Sequence, residues 1–124
     1  MNNRTGQPCE RCVIVVEDDD EIRATLRDVL EAEGYEVHTA ANGQVAMDLL
    51  PDVPRPCVML VDLMMPVMSG WELVEALRKD KNLSKIPITI VSAVGGEGKI
   101  GDTRFIPKPI NLDRLLDAVN EDCA

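Results

Sequence analysis

The stretch CVMLVDLMMPVMSG at residues 57–70 decides how this chain folds. Five apolar residues run directly into Asp62, and a loop containing Pro66 follows. A continuous apolar run of this length is typical of a strand buried on both faces in a parallel sheet. Asp62 would then lie at the carboxyl end of the strand, where open α/β sheets bind their ligands. The stretch therefore makes Asp62 a candidate for chemistry, with an ordinary turn aspartate as the alternative.

Four further segments have the composition of strands, and helical patterns separate most of them. The predicted strands are Cys12–Val16, Tyr35–Thr39, Cys57–Val61, Ile86–Val91 and Arg104–Ile106. The second of these alternates between apolar and polar residues, so we expect it to flank the sheet. Alternation of strands and helices predicts an α/β fold with a doubly wound parallel sheet of five strands and right-handed crossovers.

Residues that cap helices precede the apolar stripes. They are Asp19 or Asp20, Asn42, Ser69 with Glu72 three positions later, and Asn111. The segment from Val94 to Asp102 differs, because it holds four glycines and has little helical periodicity. There we expect a loop with at most one helical turn, so that the fourth helix of the repeating pattern is shortened or missing.

Composition limits the classes of function. The 124 residues suffice for one domain, which we place at 12–124 behind a flexible leader at 1–11. A formal charge of -9 disfavours nucleic acid and anionic membranes as direct partners. No signal-peptide h-region or membrane-length apolar run is evident, so we expect a cytoplasmic protein with its four cysteines reduced.

Polar residues follow several of the predicted strands and should meet at one edge of the sheet. Glu17 and Asp18 follow the first strand, Asp62 the third, Ser92 the fourth and Lys108 the fifth. Clustered carboxylates suit Mg²⁺, which prefers oxygen ligands. A lysine and a hydroxyl beside them would serve a transferred phosphoryl group, with Asp62 as the nucleophile.

These motifs also resemble a known family. VVEDD at 15–19, VDLMMPVMSG at 61–70, VSA at 91–93 and IPKP at 106–109 are similar to the receiver domain of two-component response regulators. The resemblance covers about residues 12–121 and points to the single-domain type. It implies a flavodoxin-like sheet with strand order 2-1-3-4-5.

The resemblance also implies a role for individual residues. Asp62 would be the phosphoacceptor, Asp18 a direct Mg²⁺ ligand, Glu17 a ligand through water, and Met64 a ligand through its backbone carbonyl. Ser92 would be the switch hydroxyl, Lys108 would contact the phosphoryl group, Phe105 would be the rotating aromatic, and the Lys108–Pro109 bond would be cis. Met64 and Val94 occupy positions that influence the access of water, and because both are apolar we expect a persistent adduct.

The implied partners are proteins. The phosphoryl group would come from a histidine kinase or a histidine phosphotransfer protein, because His38 is the only histidine of the chain and is expected on the surface. The signal would pass to a downstream effector by protein contact, with no direct role for nucleic acid or membrane.

The same residues allow alternative interpretations. A haloacid dehalogenase type of enzyme also has an aspartate at a strand end, but it needs a second aspartate where this chain has Met64. A receiver-like module that binds its partner without phosphorylation is the remaining alternative, and labelling would distinguish it. Cys9 and Cys12 could form a metal or redox pair, but a zinc site needs more ligands, and we favour no function for them.

Overall fold

The computed structural model describes residues 11–93, 98–100 and 103–123, which form a sheet between two layers of helices. The strands are β1 (Cys12–Val16), β2 (Glu36–Ala40), β3 (Val58–Val61), β4 (Ile88–Ser92), β5 (Gly98–Ile100) and β6 (Thr103–Pro107). The helices are α1 (Asp20–Ala32), α2 (Gly43–Leu49), α3 (Gly70–Arg78) and α4 (Leu112–Asp122), with a short 3-10 helix at Leu50–Asp52.

The order of strands across the sheet is β2-β1-β3-β4-β6-β5. The five strands from β2 to β6 in this order are parallel, so the predicted order 2-1-3-4-5 is confirmed for the strands expected from sequence. Strand β2 lies at one edge, as its alternating pattern predicted. The carboxyl ends of β1, β3, β4 and β6 consequently lie side by side.

The segment between β4 and β6 departs from the prediction of a loop. Its residues Gly98–Ile100 form β5, which pairs antiparallel with β6. An outermost parallel strand exposes a row of backbone N–H and C=O groups, and a returning segment can pair with them whatever its side chains are. Residue propensity therefore did not indicate this strand. The rest of the predicted loop, including Val94, lies outside the described residues, as does most of the predicted leader at 1–11.

The core has two layers because side chains alternate between the faces of each strand. Helices α2 and α3 cover one face, where Ile14, Met59 and Ile88 pack against Leu73 and Leu77. Helices α1 and α4 cover the other face. Helices on both faces explain why the strands are apolar throughout.

The predicted helix caps are all present. Asp19, Asn42 and Asn111 each accept a backbone hydrogen bond at the start of their helix, and Ser69 with Glu72 makes both bonds of a capping box. The last α1 residues lead into Gly34, whose φ of 93° requires a residue without a Cβ. None of the described helices has the length and hydrophobicity needed to cross a lipid bilayer.

The expectation of reduced cysteines is not met. Cys57, just before β3, and Cys123, at the end of α4, form a disulfide with their Cα atoms 5.1 Å apart. The two residues are 66 positions apart in sequence, and only the packing of α4 against the sheet brings them together. The bond ties the last helix to the central strand.

Candidate functional site

The acidic pair that follows β1 divides into a buried and an exposed residue. Glu17 is only 2% exposed, whereas Asp18 is exposed. The Glu17 N–H donates to the Ala40 carbonyl at 3.0 Å, which extends the pairing of β1 with β2 by one residue. Its carboxylate oxygen Oε2 accepts the backbone N–H of Asp19 at 3.0 Å. Glu17 is thus held in one orientation beneath the start of α1.

Asp62 is fixed by the backbone on either side of it. Its own N–H donates to the Val16 carbonyl at 3.0 Å, and its Oδ1 accepts the Met64 N–H at 3.1 Å. The residue is 5% exposed. These contacts direct the carboxylate toward the carboxyl edge of the sheet, as the prediction from residues 57–70 required.

The tight approach of α3 to this strand end depends on Gly70. A Cβ at position 70 would overlap the Asp62 carbonyl oxygen and would lie 2.7 Å from the Leu63 Cα. The Gly70 N–H also donates to the Leu63 carbonyl at 3.0 Å. Helix α3 can therefore begin directly against the Asp62 loop only with glycine at this position.

Lys108 joins the two buried carboxylates. Its Nζ lies 2.9 Å from Glu17 Oε1 and 3.2 Å from Asp62 Oδ2. The Lys108 N–H donates to the Ser92 carbonyl at 3.0 Å, and the Lys108–Pro109 peptide bond is cis, as predicted. Residues from β1, β3 and β6 thus meet at one point, which the sequence pattern predicted for this edge.

Burial and charge shift the acid–base equilibria of two groups here. Desolvation raises the pKa of the Glu17 carboxyl, and the nearby Asp62 charge adds to this, although hydrogen bonds from the Asp19 N–H and Lys108 oppose it. Burial alone would lower the pKa of the Lys108 ammonium, but its hydrogen bonds to Glu17 and Asp62 outweigh burial and raise it. The site therefore favours a positively charged group, and it disfavours Glu17 as a second ionised carboxylate beside Asp62.

The donor set fits Mg²⁺. Glu17, Asp18 and Asp62 each offer a carboxylate oxygen, and these atoms lie within 4.8 Å of one another. Mg²⁺ prefers oxygen ligands and keeps several waters, which the exposed side of Asp18 would leave room for. The residues predicted to bind the metal are therefore close enough to share one ion.

The predicted switch residues lie beside this cluster. Ser92 ends β4, is buried, and pairs in register with Pro107 of β6. Phe105 is buried in β6, and its ring lies 6.3 Å from that of Trp71 on α3. Met64 is exposed beside Asp62. Their predicted roles in switching and metal binding stay predictions.

Sequence reasoning missed Arg23 as a part of the site. Its guanidinium donates to the Glu17 carbonyl at 2.9 Å and pairs with Asp20, so it fixes the loop between β1 and α1. An arginine in the first turns of a helix carries no signal that distinguishes it from a surface residue. The role of Gly70 was also missed, although its place directly after the Ser69 cap was visible.

Comparisons with known proteins agree with this geometry. The family model of the response regulator receiver domain matches residues 13–120. The polar-differentiation response regulator DivK of Brucella anthropi is 35% identical over 115 residues, which cover 88% of this chain and 93% of that protein.

Solved structures give the same result. The chemotaxis protein CheY4 of Vibrio cholerae superposes with a TM-score of 0.79 at 32% identity, covering 89% of this chain and 96% of that one. The receiver domain of the Francisella response regulator 1452 superposes with a TM-score of 0.78 at 27% identity, covering 91% and 96%.

The five parallel strands in the order 2-1-3-4-5 and the helices on both faces define an open α/β protein of the flavodoxin-like class. Within that class, the match over residues 13–120 is decisive. The chain belongs to the family of response regulator receiver domains, which act in two-component signalling.

Proposed function

We propose that this chain accepts a phosphoryl group on Asp62 from the phosphohistidine of a histidine kinase or histidine phosphotransfer protein. The observation that carries the proposal is the Asp62 carboxylate itself, which is buried at a strand end with Lys108 Nζ 3.2 Å from its Oδ2. A buried carboxylate fixed by backbone and paired with a cation is positioned for reaction.

The reaction is a transfer between two nucleophiles. An oxygen of the Asp62 carboxylate attacks the phosphorus of the phosphohistidine, an O–P bond forms, and the P–N bond breaks. The electron pair of that bond returns to the imidazole, which takes up a proton and leaves as histidine. Lys108 would stabilise the negative charge on the transferred group, because its ammonium already lies beside the Asp62 oxygen.

Glu17, Asp18 and Asp62 would hold Mg²⁺, with the Met64 carbonyl as the further ligand implied by the family resemblance. When bound, the ion neutralises charge on the phosphoryl oxygens. Lys108 would then shift its pairing from Glu17 toward the phosphoryl group, since the ion takes over neutralisation of the carboxylates.

The output would be a change of protein contacts. Ser92 would take the switch hydroxyl role and Phe105 would change its rotamer, which alters the surface around Trp71 and β6. We propose a cytoplasmic signalling domain and not an enzyme in the ordinary sense, although it would assist its own phosphorylation and dephosphorylation. DivK and CheY4 are themselves response regulators by name, and kinase and effector partners of the same kind are proposed here.

A module that binds its partner without phosphorylation is the second candidate. The buried Glu17–Lys108–Asp62 cluster would then serve only to stabilise the fold. Two buried carboxylates against one ammonium make a poor stabilising element, because burial disfavours the charge on Glu17. The cluster is thus better explained by a reaction.

The test is phosphorylation by a small phosphodonor. The wild-type chain is incubated with acetyl phosphate or phosphoramidate, with Mg²⁺ or with EDTA. We expect one phosphoryl group per chain, formed only with Mg²⁺, stable in mild acid and released by base or hydroxylamine, as befits an acyl phosphate. Absence of an adduct under all conditions would favour the phosphorylation-independent module.

A further inference from the structure

A second cluster of side chains lies toward the amino ends of the strands, whereas Asp62 lies at their carboxyl ends. It consists of Cys12 at the start of β1 and of Glu36 and His38 on β2. Cys12 pairs in register with Glu36, and His38 is two residues further along the same strand. Residues in register on parallel strands, and residues two apart on one strand, point to the same face. The topology therefore brings a thiol, a carboxylate and an imidazole together.

The distances within this cluster are close to those of a metal site. The thiol sulfur, a carboxylate oxygen and an imidazole nitrogen lie within 4.8 Å of one another. Tetrahedral zinc with bond lengths of about 2.0–2.3 Å places neighbouring ligand atoms roughly 3.3–3.8 Å apart. His38 Nε2 and Glu36 Oε2 are hydrogen bonded at 2.7 Å and would separate slightly, while Cys12 Sγ would move toward them.

The cluster is closed to solvent on the side of Cys12 and open to solvent on the side of Glu36 and His38. Cys12 is buried, and its thiol donates to the Pro54 carbonyl at 3.7 Å, beneath the chain that follows the 3-10 helix. The side chains of His38 and Glu36 are 27% and 40% exposed. Because β2 is the edge strand, an ion can enter from solvent and keep a water as its fourth ligand.

The chemistry of the three donors selects the metal. A thiolate and an imidazole favour Zn²⁺ and similar first-row ions, whereas Mg²⁺ prefers oxygen ligands alone. The Glu17, Asp18 and Asp62 cluster offers only oxygen. The two ends of the sheet thus present different ligand sets, separated by the rise of β1 from Cys12 to Glu17, about 16 Å.

We propose that Cys12, Glu36 and His38 form a binding site for one Zn²⁺ ion, distinct from the carboxylate site at Asp62. Binding releases the proton of the Cys12 thiol, and the hydrogen bond between His38 Nε2 and Glu36 Oε2 is replaced by a bond from each of these atoms to the ion. The ion then connects β1 to the edge strand β2 by three side chains. The site is independent of phosphorylation, so it stands or falls separately from the proposed function.

The experiment is a titration of the tag-free chain, with its Cys57–Cys123 disulfide intact, with Co²⁺, followed by displacement with Zn²⁺. Thiolate ligation gives a sulfur-to-cobalt charge-transfer band, which binding at the carboxylate site cannot give. We expect this band to saturate at one Co²⁺ per chain and to disappear when Zn²⁺ is added. Since His38 is the only histidine, its imidazole NMR signals should shift in the same titration.

Variants assign the ligands. Cys12→Ser should abolish the band, and His38→Gln and Glu36→Gln, at partly exposed positions, should each weaken Co²⁺ binding about tenfold or more. Cys9→Ser and the double variant Cys57→Ser/Cys123→Ser are the thiol controls and should keep the band. The proposal is overturned if wild type gives no band, if the band survives Cys12→Ser, or if either thiol control removes it.

Discussion

Three charged side chains, Glu17, Asp62 and Lys108, share a space that is largely closed to water. One ammonium between two carboxylates leaves a net negative charge, and burial makes that charge costly. Burial is the main reason that the pKa of Glu17 is raised, and the Asp62 charge adds to it. The site is consequently under electrostatic stress that a divalent cation would relieve.

The first prediction follows from this stress. A carboxyl group whose pKa is higher in the folded than in the unfolded chain loses stability as pH rises from its ordinary value, near 4.5, through the raised value. Glu17→Gln removes that loss. In metal-free buffer at neutral pH we expect it to raise the free energy of unfolding, which would be seen as a higher Tm.

The pH profile provides the control for this change. The advantage of Glu17→Gln should shrink as pH falls through the raised pKa and should vanish below 4.5, where Glu17 becomes protonated in both states. Glu75→Gln, at an exposed position on α3 and with the same change of charge, is the matched control and should not raise the free energy of unfolding. If the Glu17→Gln protein is less stable than wild type at neutral pH, then burial of the ionised Glu17 carboxylate does not destabilise the fold.

Val67 has a strained backbone conformation. Its φ of 69° lies in the left-handed region, which costs a β-branched residue about 1–2 kcal/mol. Asparagine tolerates this conformation better, and because Val67 is 79% exposed, little packing would be lost. We expect Val67→Asn to raise the free energy of unfolding by roughly 1 kcal/mol in urea titrations. Val45→Asn, exposed on α2, is the matched control and should give no gain.

The site residues differ in how well the sequence indicated them. Glu17, Asp62 and Lys108 could be predicted to meet, because each directly follows a strand and parallel strands end at one edge. The burial of Glu17 and the exposure of Asp18 could not, since two adjacent acids look alike until the β1–α1 loop is folded. The convergence of Cys12 with His38 was missed because it depends on the register of β1 and β2.

At the level of elements, the junction of β3 and α3 positions the site. Asp62 directly follows β3, and α3 begins at the Ser69 cap after the loop that Asp62 opens. Gly70 allows the backbones to touch at this junction. The geometry of the carboxylate therefore depends on a glycine that lies eight positions further along the chain.

Gly70→Ala should disrupt this junction. The added methyl would meet backbone atoms of Asp62 and Leu63, which cannot move without shifting α3 or β3. We expect a loss of about 2–3 kcal/mol in the free energy of unfolding, measured in urea. Gly43→Ala is the matched control, because its methyl would meet only the flexible Met68 side chain. Equal losses for the two variants would contradict the argument.

Most elements could be predicted because local signals and the fold agree. The capping residues Asn42, Ser69 and Asn111 correctly predicted the starts of their helices. Continuous apolar runs correctly predicted β1 and β3. Strand β5 could not be predicted, because it forms by pairing with the open edge of β6 and its own three residues carry no strand signal. Non-local pairing of this kind leaves little trace in the local pattern.

On the scale of the whole molecule, the disulfide between Cys57 and Cys123 closes a large part of the chain into a loop. A crosslink over 66 positions reduces the freedom of the unfolded chain, so that its removal should lower the free energy of unfolding. Typical losses are about 2–4 kcal/mol. We expect a lower urea midpoint with a reducing agent for wild type only.

The double variant Cys57→Ser/Cys123→Ser is the control for this prediction. It should unfold at the reduced midpoint with or without the reducing agent. Wild-type protein whose midpoint does not respond to reduction, while thiol titration confirms that the bond was open, would show that the crosslink adds no stability.

The parallel sheet places Asp62 where we propose that it accepts the phosphoryl group. Intact-mass measurement after treatment with a small phosphodonor and Mg²⁺ tests this role, with wild type, Asp62→Asn and Asp48→Asn compared at equal donor concentration. Asp48 lies on α2 away from the strand ends and is the matched control. We expect one added phosphoryl group for wild type and for Asp48→Asn and none for Asp62→Asn. Full labelling of Asp62→Asn would show that Asp62 is not the phosphoacceptor.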